Sequence, residues 1–222
     1  LPVVNDPQVM GVGKDSSGTR IILAHIQGNG FWRKAGSTWT KLSGTAPYAS
    51  NGFGNIVFRP GTQVVFAHDG TGLWRSDSAG AQGTWVKLLN SSTKYQNAAT
   101  IALDPTDPNR LYLASAASGI GGVVRVDNVN SSTPTTVRMR SDGDPGPIAT
   151  DSKGALYMHV RSNSDLLYIA APGTANANPA TVSIADSYYK ENNFNVRYLS
   201  VGSNGYVYTA NNSSGATIGV PQ

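Results

Sequence analysis

"VVFAHDGTGLWRSD", residues 64–77, repeats a pattern the chain has already used at "IILAHIQGNGFWRK", residues 21–34. Both run from an apolar stretch through Ala-His into a polar turn containing Gly, then an apolar residue, then Trp-Arg. Short apolar runs bounded by Gly, Asn and Asp read as strands joined by a hairpin. Aligned on the strand before the turn, five copies occupy 22–25, 65–68, 112–115, 156–159 and 207–210, so successive copies start 43, 47, 44 and 51 residues apart. A period of about 40–50 residues is that of a four-stranded propeller blade.

Each copy has another strand upstream, at 9–12, 55–58, 99–103, 146–150 and 197–201. Turns such as "KDSSG", "RPG", "DPTDPN", "DSKG" and "GSNG" follow these strands. Asp, Asn, Pro and Gly close such turns through side-chain bonds to the backbone or through their own backbone preferences. A third strand follows the His-bearing one ("GFWR", "GLWR", "GVVRV", "LLYIA", "ATIGV"), and four copies add a fourth ("TWTKL", "TWVKLL", "TVRMR", "ATVSIA"). The fifth copy stops at "GVPQ", and the chain opens with the apolar "LPVV". The expectation is an all-β chain, a single β-propeller domain over 1–222. Five four-stranded blades fall at about 9–44, 52–90, 97–141, 145–185 and 195–222, with residues 1–4 closing the last and removing an open sheet edge. Part of a larger propeller is the open alternative. No helix is expected, and 186–200 reads as a long loop leading into a strand.

Composition agrees with β-structure and narrows the function. Charged residues are 14% of the 222, and Glu191 is the single Glu among the 13 acidic side chains. The net charge is +4, but the basic residues are scattered, so no nucleic-acid partner is expected. No apolar run is long enough to span a membrane. The absence of Cys excludes disulfides, zinc–thiolate centres and Cys nucleophiles. Nothing reads as a phosphate or dinucleotide loop, and no cofactor is expected. The first residues lack the form of a signal peptide. Sequons at Asn90, Asn130, Asn211 and Asn212 nevertheless favour a secreted, extracellular protein.

The blades resemble the Asp-box class of β-propeller found in sialidases, sortilin-type receptors and xyloglucan-degrading glycosidases. The residues that carry this are "KAGSTW" (34–39), "SDSAGAQGTW" (76–85) and "IALDPTDPNRLYLAS" (101–115), while "GPIATDSKGALYMH" (146–159) looks more like an NHL-type blade. In addition, "HDGTGLWR" (68–75) resembles the xyloglucanase-type segment Thr-Asp-x-Gly-Gly-x-Tyr-Arg, with Asp69, Gly72, Trp74 and Arg75 in the matching places. That resemblance implies Asp69 as a catalytic carboxylate, with the second carboxylate brought by a second propeller.

His25, His68 and His159 are all the histidines of the chain and share one repeat position. They read either as packing residues beside a turn or as part of shallow glycan sites, and they lie on different blades, too far apart to share a metal. Such sites would combine His25, Gln27 and Trp32; His68, Asp69 and Trp74; and His159 with Tyr168. Asp69 stands where the first copy has Gln27 and is the residue the other copies do not explain. A glycosidase needs two carboxyl groups roughly 5–9.5 Å apart, and the sequence offers Glu191 or Asp144 as a second. The expected function is therefore a lectin-like propeller that binds glycans or polysaccharide. The alternatives are a xyloglucanase-like glycoside hydrolase, or a fragment of one, and a protein-interaction scaffold.

Overall fold

A computed structural model describes residues 7–26, 29–43, 53–69, 72–90, 98–115, 122–141, 145–160, 164–176, 179–183, 196–211 and 215–221. Within them the chain is all-β. Blade 1 holds β1 (Pro7–Lys14), β2 (Arg20–Ile26), β3 (Gly30–Ala35) and β4 (Thr38–Lys41), and blade 2 holds β5 (Phe53–Phe58), β6 (Val65–Asp69), β7 (Gly72–Ser76) and β8 (Trp85–Asn90). Blade 3 comprises β9 (Ala98–Leu103), β10 (Arg110–Ser115), β11 (Gly122–Asp127) and β12 (Thr135–Arg140). Blade 4 comprises β13 (Pro145–Thr150), β14 (Leu156–Val160), β15 (Asp165–Ile169) and the two-residue β16 (Val182–Ser183). A last sheet has three strands, β17 (Val196–Val201), β18 (Tyr206–Asn211) and β19 (Gly215–Pro221). Each sheet is an antiparallel meander in chain order, the blade architecture of a β-propeller. The closing strand expected at residues 1–4 lies outside the described residues.

The turns form because their side chains bond the backbone. Asp15 Oδ1 accepts from the N–H of Ser17 and of Thr19 at 2.9 and 3.0 Å, and Asp151 Oδ1 accepts from Lys153 and Ala155, each at 2.9 Å. Asn204 Oδ1 does the same for Tyr206, and Thr62 Oγ1 for Val64. Asp15 and Asp151 are turn formers, as their sequence setting implies.

The chain divides into two compact units, Leu1–Ala98 with Ser131–Thr133 and Ala99–Asn130 with Pro134–Gln222. In the first unit, Ile21, Leu23 and Phe31 of blade 1 pack with Ile56, Val65 and Ala67 of blade 2. The sheets approach closely because Gly11 and Gly13 of β1 have no side chain. A Cβ on Gly11 would lie 2.6 Å from Ile56 Cγ2, and one on Gly13 would enter the Phe58 ring. Arg33 Nε also donates to the Ala79 carbonyl at 3.0 Å.

In the second unit, Tyr112, Ala114 and Met139 pack with Ile148, Leu156 and Met158, and Tyr157 and Leu166 pack with Val207. Every residue of β6 and β14 is buried, so apolar and polar side chains do not alternate along either strand.

A polar network ties blade 3 to blade 4. Arg110 reaches Asp127, Asp107 and Asp104 at 2.6, 3.2 and 3.4 Å, and Arg125 reaches Asp127 at 2.8 Å. Arg125 Nη1 also donates to the carbonyls of Pro172 and Ala175 at 2.8 Å. Asp104 accepts from Thr106 and from the Tyr112 hydroxyl. Burial alone would raise the Asp104 carboxyl. The bonds from Thr106, Tyr112 and Arg110 outweigh it and hold the group below the usual carboxylate range.

Candidate functional site

The strongest sequence candidate, Asp69, is the last residue of β6. It pairs with Gly72, the first residue of β7, across a two-residue connection. Its side chain is 2% exposed. Oδ1 accepts two hydrogen bonds, from the Gly72 backbone N–H and from the Trp74 indole Nε1, both at 2.9 Å. Gly72 is required here, since a Cβ would collide with the Leu89 carbonyl of β8. Opposite Trp74 on β8 stands Lys87, with Nζ 4.9 Å from the ring centroid, within the range of a cation–π contact. Asp69, Gly72, Trp74 and Lys87 thus form one bonded and stacked unit across three strands. Lys87 was not singled out from sequence. Its signal is the cross-strand pairing, which a linear reading does not display.

The register re-sorts the other candidates. Ala24 pairs with Trp32, and Ala67 with Trp74, so the tryptophans lie on the Ala face of their sheets. His25 and His68 follow those alanines by one residue and point to the opposite face, because the side-chain period along a strand is two. Neither His–Trp pair is brought together on one face.

Tyr168 pairs with Tyr157, two residues from His159, and its ring meets Tyr157 edge-on at 5.1 Å. Leu167, paired with Met158, holds the place of Trp32 and Trp74. The sequence alignment of Tyr168 with the tryptophans is therefore one residue out, and a one-residue slip moves a side chain to the other face.

The alignment of Asp69 with Gln27 is corrected in the same way. Ile26 pairs with Gly30 as Asp69 pairs with Gly72, so Ile26 is the structural counterpart, and Val160 holds the same place in blade 4. The first blade's turn is one residue longer, which shifts any alignment anchored on Trp-Arg. Gln27 itself lies outside the described residues, as do Glu191 and Asp144.

His25, His68 and His159 are all 2% exposed or less. Gly146 makes room for the third, since a Cβ there would lie 2.6 Å from His159 Nδ1. Trp74 is buried, while Trp32 and Tyr168 are half-buried. Trp32 repeats the stacked arrangement of Trp74, with Lys41 Nζ 5.9 Å from its ring centroid. Among the described residues no group of three or more His, Cys, Asp or Glu is gathered as for a metal. No described helix is long and apolar enough to cross a membrane.

The segment at 76–85 is closed by its own side chains. Ser76 Oγ and Thr84 Oγ1 lie 2.7 Å apart, Ser76 Oγ accepts from the N–H of Ser78 and Gly80, and Trp85 meets the Phe31 ring edge-on at 6.1 Å.

No protein-family model matches the chain. Over 97 residues, 41% of the chain, it is 33% identical to a protein named xyloglucanase from Paenibacillus sp, of which it spans 9%. Among solved structures it superposes over its full length on a GH74 enzyme from Niastella koreensis, with TM-score 0.63, 15% identity and 31% of that chain covered. It also superposes on a gluconolactonase from Xanthomonas campestris, with TM-score 0.64, 10% identity, 95% of this chain and 71% of that one covered. At such identities the structural likeness is one of fold, the β-propeller. The chain spans less than a tenth of the curated relative and about a third of the GH74 structure.

Proposed function

We propose that this chain is a propeller module of a xyloglucanase-like glycoside hydrolase. It acts on a xyloglucan-type polysaccharide outside the cell, with Asp69 as the carboxylate it contributes. The observation that supports this most is the 33% identity over 97 residues to a protein named xyloglucanase. The same comparison favours a hydrolase-related propeller over the lectin-like reading. So does the singular placing of Asp69, since Ile26 and Val160 hold the corresponding positions and a repeated glycan site would repeat its polar group.

Hydrolysis of a glycosidic bond needs two carboxyl groups, one to protonate the leaving oxygen and one to act as base or nucleophile. Asp69 supplies one, oriented by Gly72 N–H and Trp74 Nε1. In this proposal the second comes from outside the described residues, as it does when two propellers face each other across a cleft. The relative's far greater length leaves ample chain for that.

The decisive experiment is Asp69→Asn in a xyloglucan hydrolysis assay, with the chain joined to whatever further domains its gene encodes. An amide oxygen still accepts from Gly72 and Trp74, so the hairpin stays closed while the charge is lost. Loss of turnover by a factor of a hundred or more, with unchanged melting and retained polysaccharide binding, is the expected result. Undiminished turnover would leave Asp69 as a hairpin clamp and remove the catalytic assignment.

A further inference from the structure

Blades 1 and 2 carry the same sheet face in different surroundings. Strand pairing sets Met10, Ala24 and Trp32 side by side across blade 1, as it sets Ile56, Ala67 and Trp74 across blade 2. Two residues along the first strand, Val12 stands beside Ile22 as Phe58 stands beside Val65. Residues paired across strands and spaced by two along them share a face, so the two faces match position by position. In blade 2 this is the face packed on blade 1. Ile56 is 4% exposed and seated on Gly11, Phe58 is seated on Gly13, and Val65 and Ala67 join the core of the first unit.

In blade 1 the equivalents of Ile56 and Phe58 stand open to solvent, Met10 at 62% and Val12 at 54%. Ile22 and Trp32 beside them are half-buried, where Val65 and Trp74 are buried. A contiguous apolar face of this kind marks an interface. Its cations do not bar cover by another sheet. Lys34 Nζ lies 5.8 Å from the Trp39 ring centroid and Lys41 Nζ 5.9 Å from that of Trp32, as Lys87 lies 4.9 Å from that of the buried Trp74. A second copy meeting this face with its own would set lysine against lysine, and would offer Met10 a side chain where Ile56 has bare backbone. The chain spans 31% of the GH74 structure and 9% of the xyloglucanase relative, lengths that leave room for further blades.

We propose that the Met10–Val12 face of blade 1 is an inter-blade interface, covered by a further propeller blade of the same polypeptide that lies outside these 222 residues. That blade repeats what blade 1 does for blade 2. Its first strand brings Gly, Ala or Ser to the two positions that Gly11 and Gly13 occupy in β1, and Met10 and Val12 seat on them. The interface is independent of the reading of Asp69.

The chain has no Cys, so single introduced thiols report on it directly. Met10→Cys and Val12→Cys are labelled with a maleimide in the whole gene product, beside Ser16→Cys on the exposed turn after β1. At positions 10 and 12 the thiols should react at least about a hundredfold more slowly than at position 16, and equally fast in denaturant. A photoreactive benzophenone amino acid at position 10 of the same protein identifies the cover. Irradiation should join it to a strand outside residues 1–222 of the same molecule, read by peptide mass spectrometry of the monomer. Labelling as fast as that of Ser16→Cys overturns the proposal. So does a cross-link that falls within residues 1–222 or that joins two copies.

Discussion

The indole N–H of Trp74 donates to Asp69 Oδ1 at 2.9 Å, from the adjacent strand and beneath the ammonium of Lys87. This single bond joins the residue that the repeat explains to the one it does not. Trp74 has a counterpart in Trp32, whereas Asp69 replaces an Ile.

Asp69→Ala removes the acceptor of two buried donors at once, Gly72 N–H and Trp74 Nε1. A buried donor left without a partner costs about 1–3 kcal/mol, so a loss of roughly 2–5 kcal/mol is expected, against under about 1 for Asp69→Asn. Urea denaturation followed by tryptophan fluorescence measures both. Equal losses for the two variants would mean that charge rather than the acceptor holds the hairpin.

Gly13→Ala places a methyl group in the Phe58 ring. Overpacking of this kind costs about 1–3 kcal/mol. Phe58→Leu in the same chain should recover part of the loss, and a double-mutant cycle over the four proteins gives the coupling. Additive effects would show that the two positions are not in contact in solution.

The acid limb of stability should depend on the blade 3 network. Asp104 is held below the usual carboxylate range when folded, so its contribution is complete above about pH 4 and is lost as pH falls through the lowered value. Tyr112→Phe removes one of the bonds that lower it. The dependence of the urea midpoint on pH between about 5 and 2 should then be shallower than in the parent chain. Identical slopes would separate Tyr112 from the titration of Asp104.

The alkaline limb should report Tyr157. Burial, then the nearby charge of Asp151, pushes its hydroxyl up to about 12. A tyrosine raised in the folded state contributes stability that is whole below about pH 10, its unfolded value, and is lost as pH climbs through the folded one. Tyr112 is raised further still by burial and Asp104, so absorbance titration at the phenolate band should show late-ionising tyrosines, of which Tyr157→Phe removes the earlier step. An unchanged titration curve in that variant would assign the step to another tyrosine.

The fold was legible in the sequence because each blade repeats the same physical problem. A largely apolar second strand, a turn closed by Asp, Asn or Thr, and a third strand recur every 43 to 51 residues. The side-chain equivalences were less legible. Turn length differs by one residue between blades 1 and 2, so counting back from Trp-Arg sets Gln27 against Asp69, whereas strand pairing sets Ile26 there. Tyr168 went astray by the same single step. The Lys87–Trp74 stack and the Arg110–Asp127 pair were hidden for a different reason. They are fixed by cross-strand register or loop packing, which no short motif records.

Phe58 seated on Gly13, and Ile56 on Gly11, have a bearing on modular exchange. Blade 2 meets bare backbone at these two points of blade 1. The two are therefore a matched pair and not interchangeable parts. Grafting blade 1 beside a different partner would leave a slot with nothing to fill it, and placing another blade's first strand against blade 2 would leave Phe58 no room. Shuffling the repeats of this chain should succeed only when residues 7–90 move as one piece.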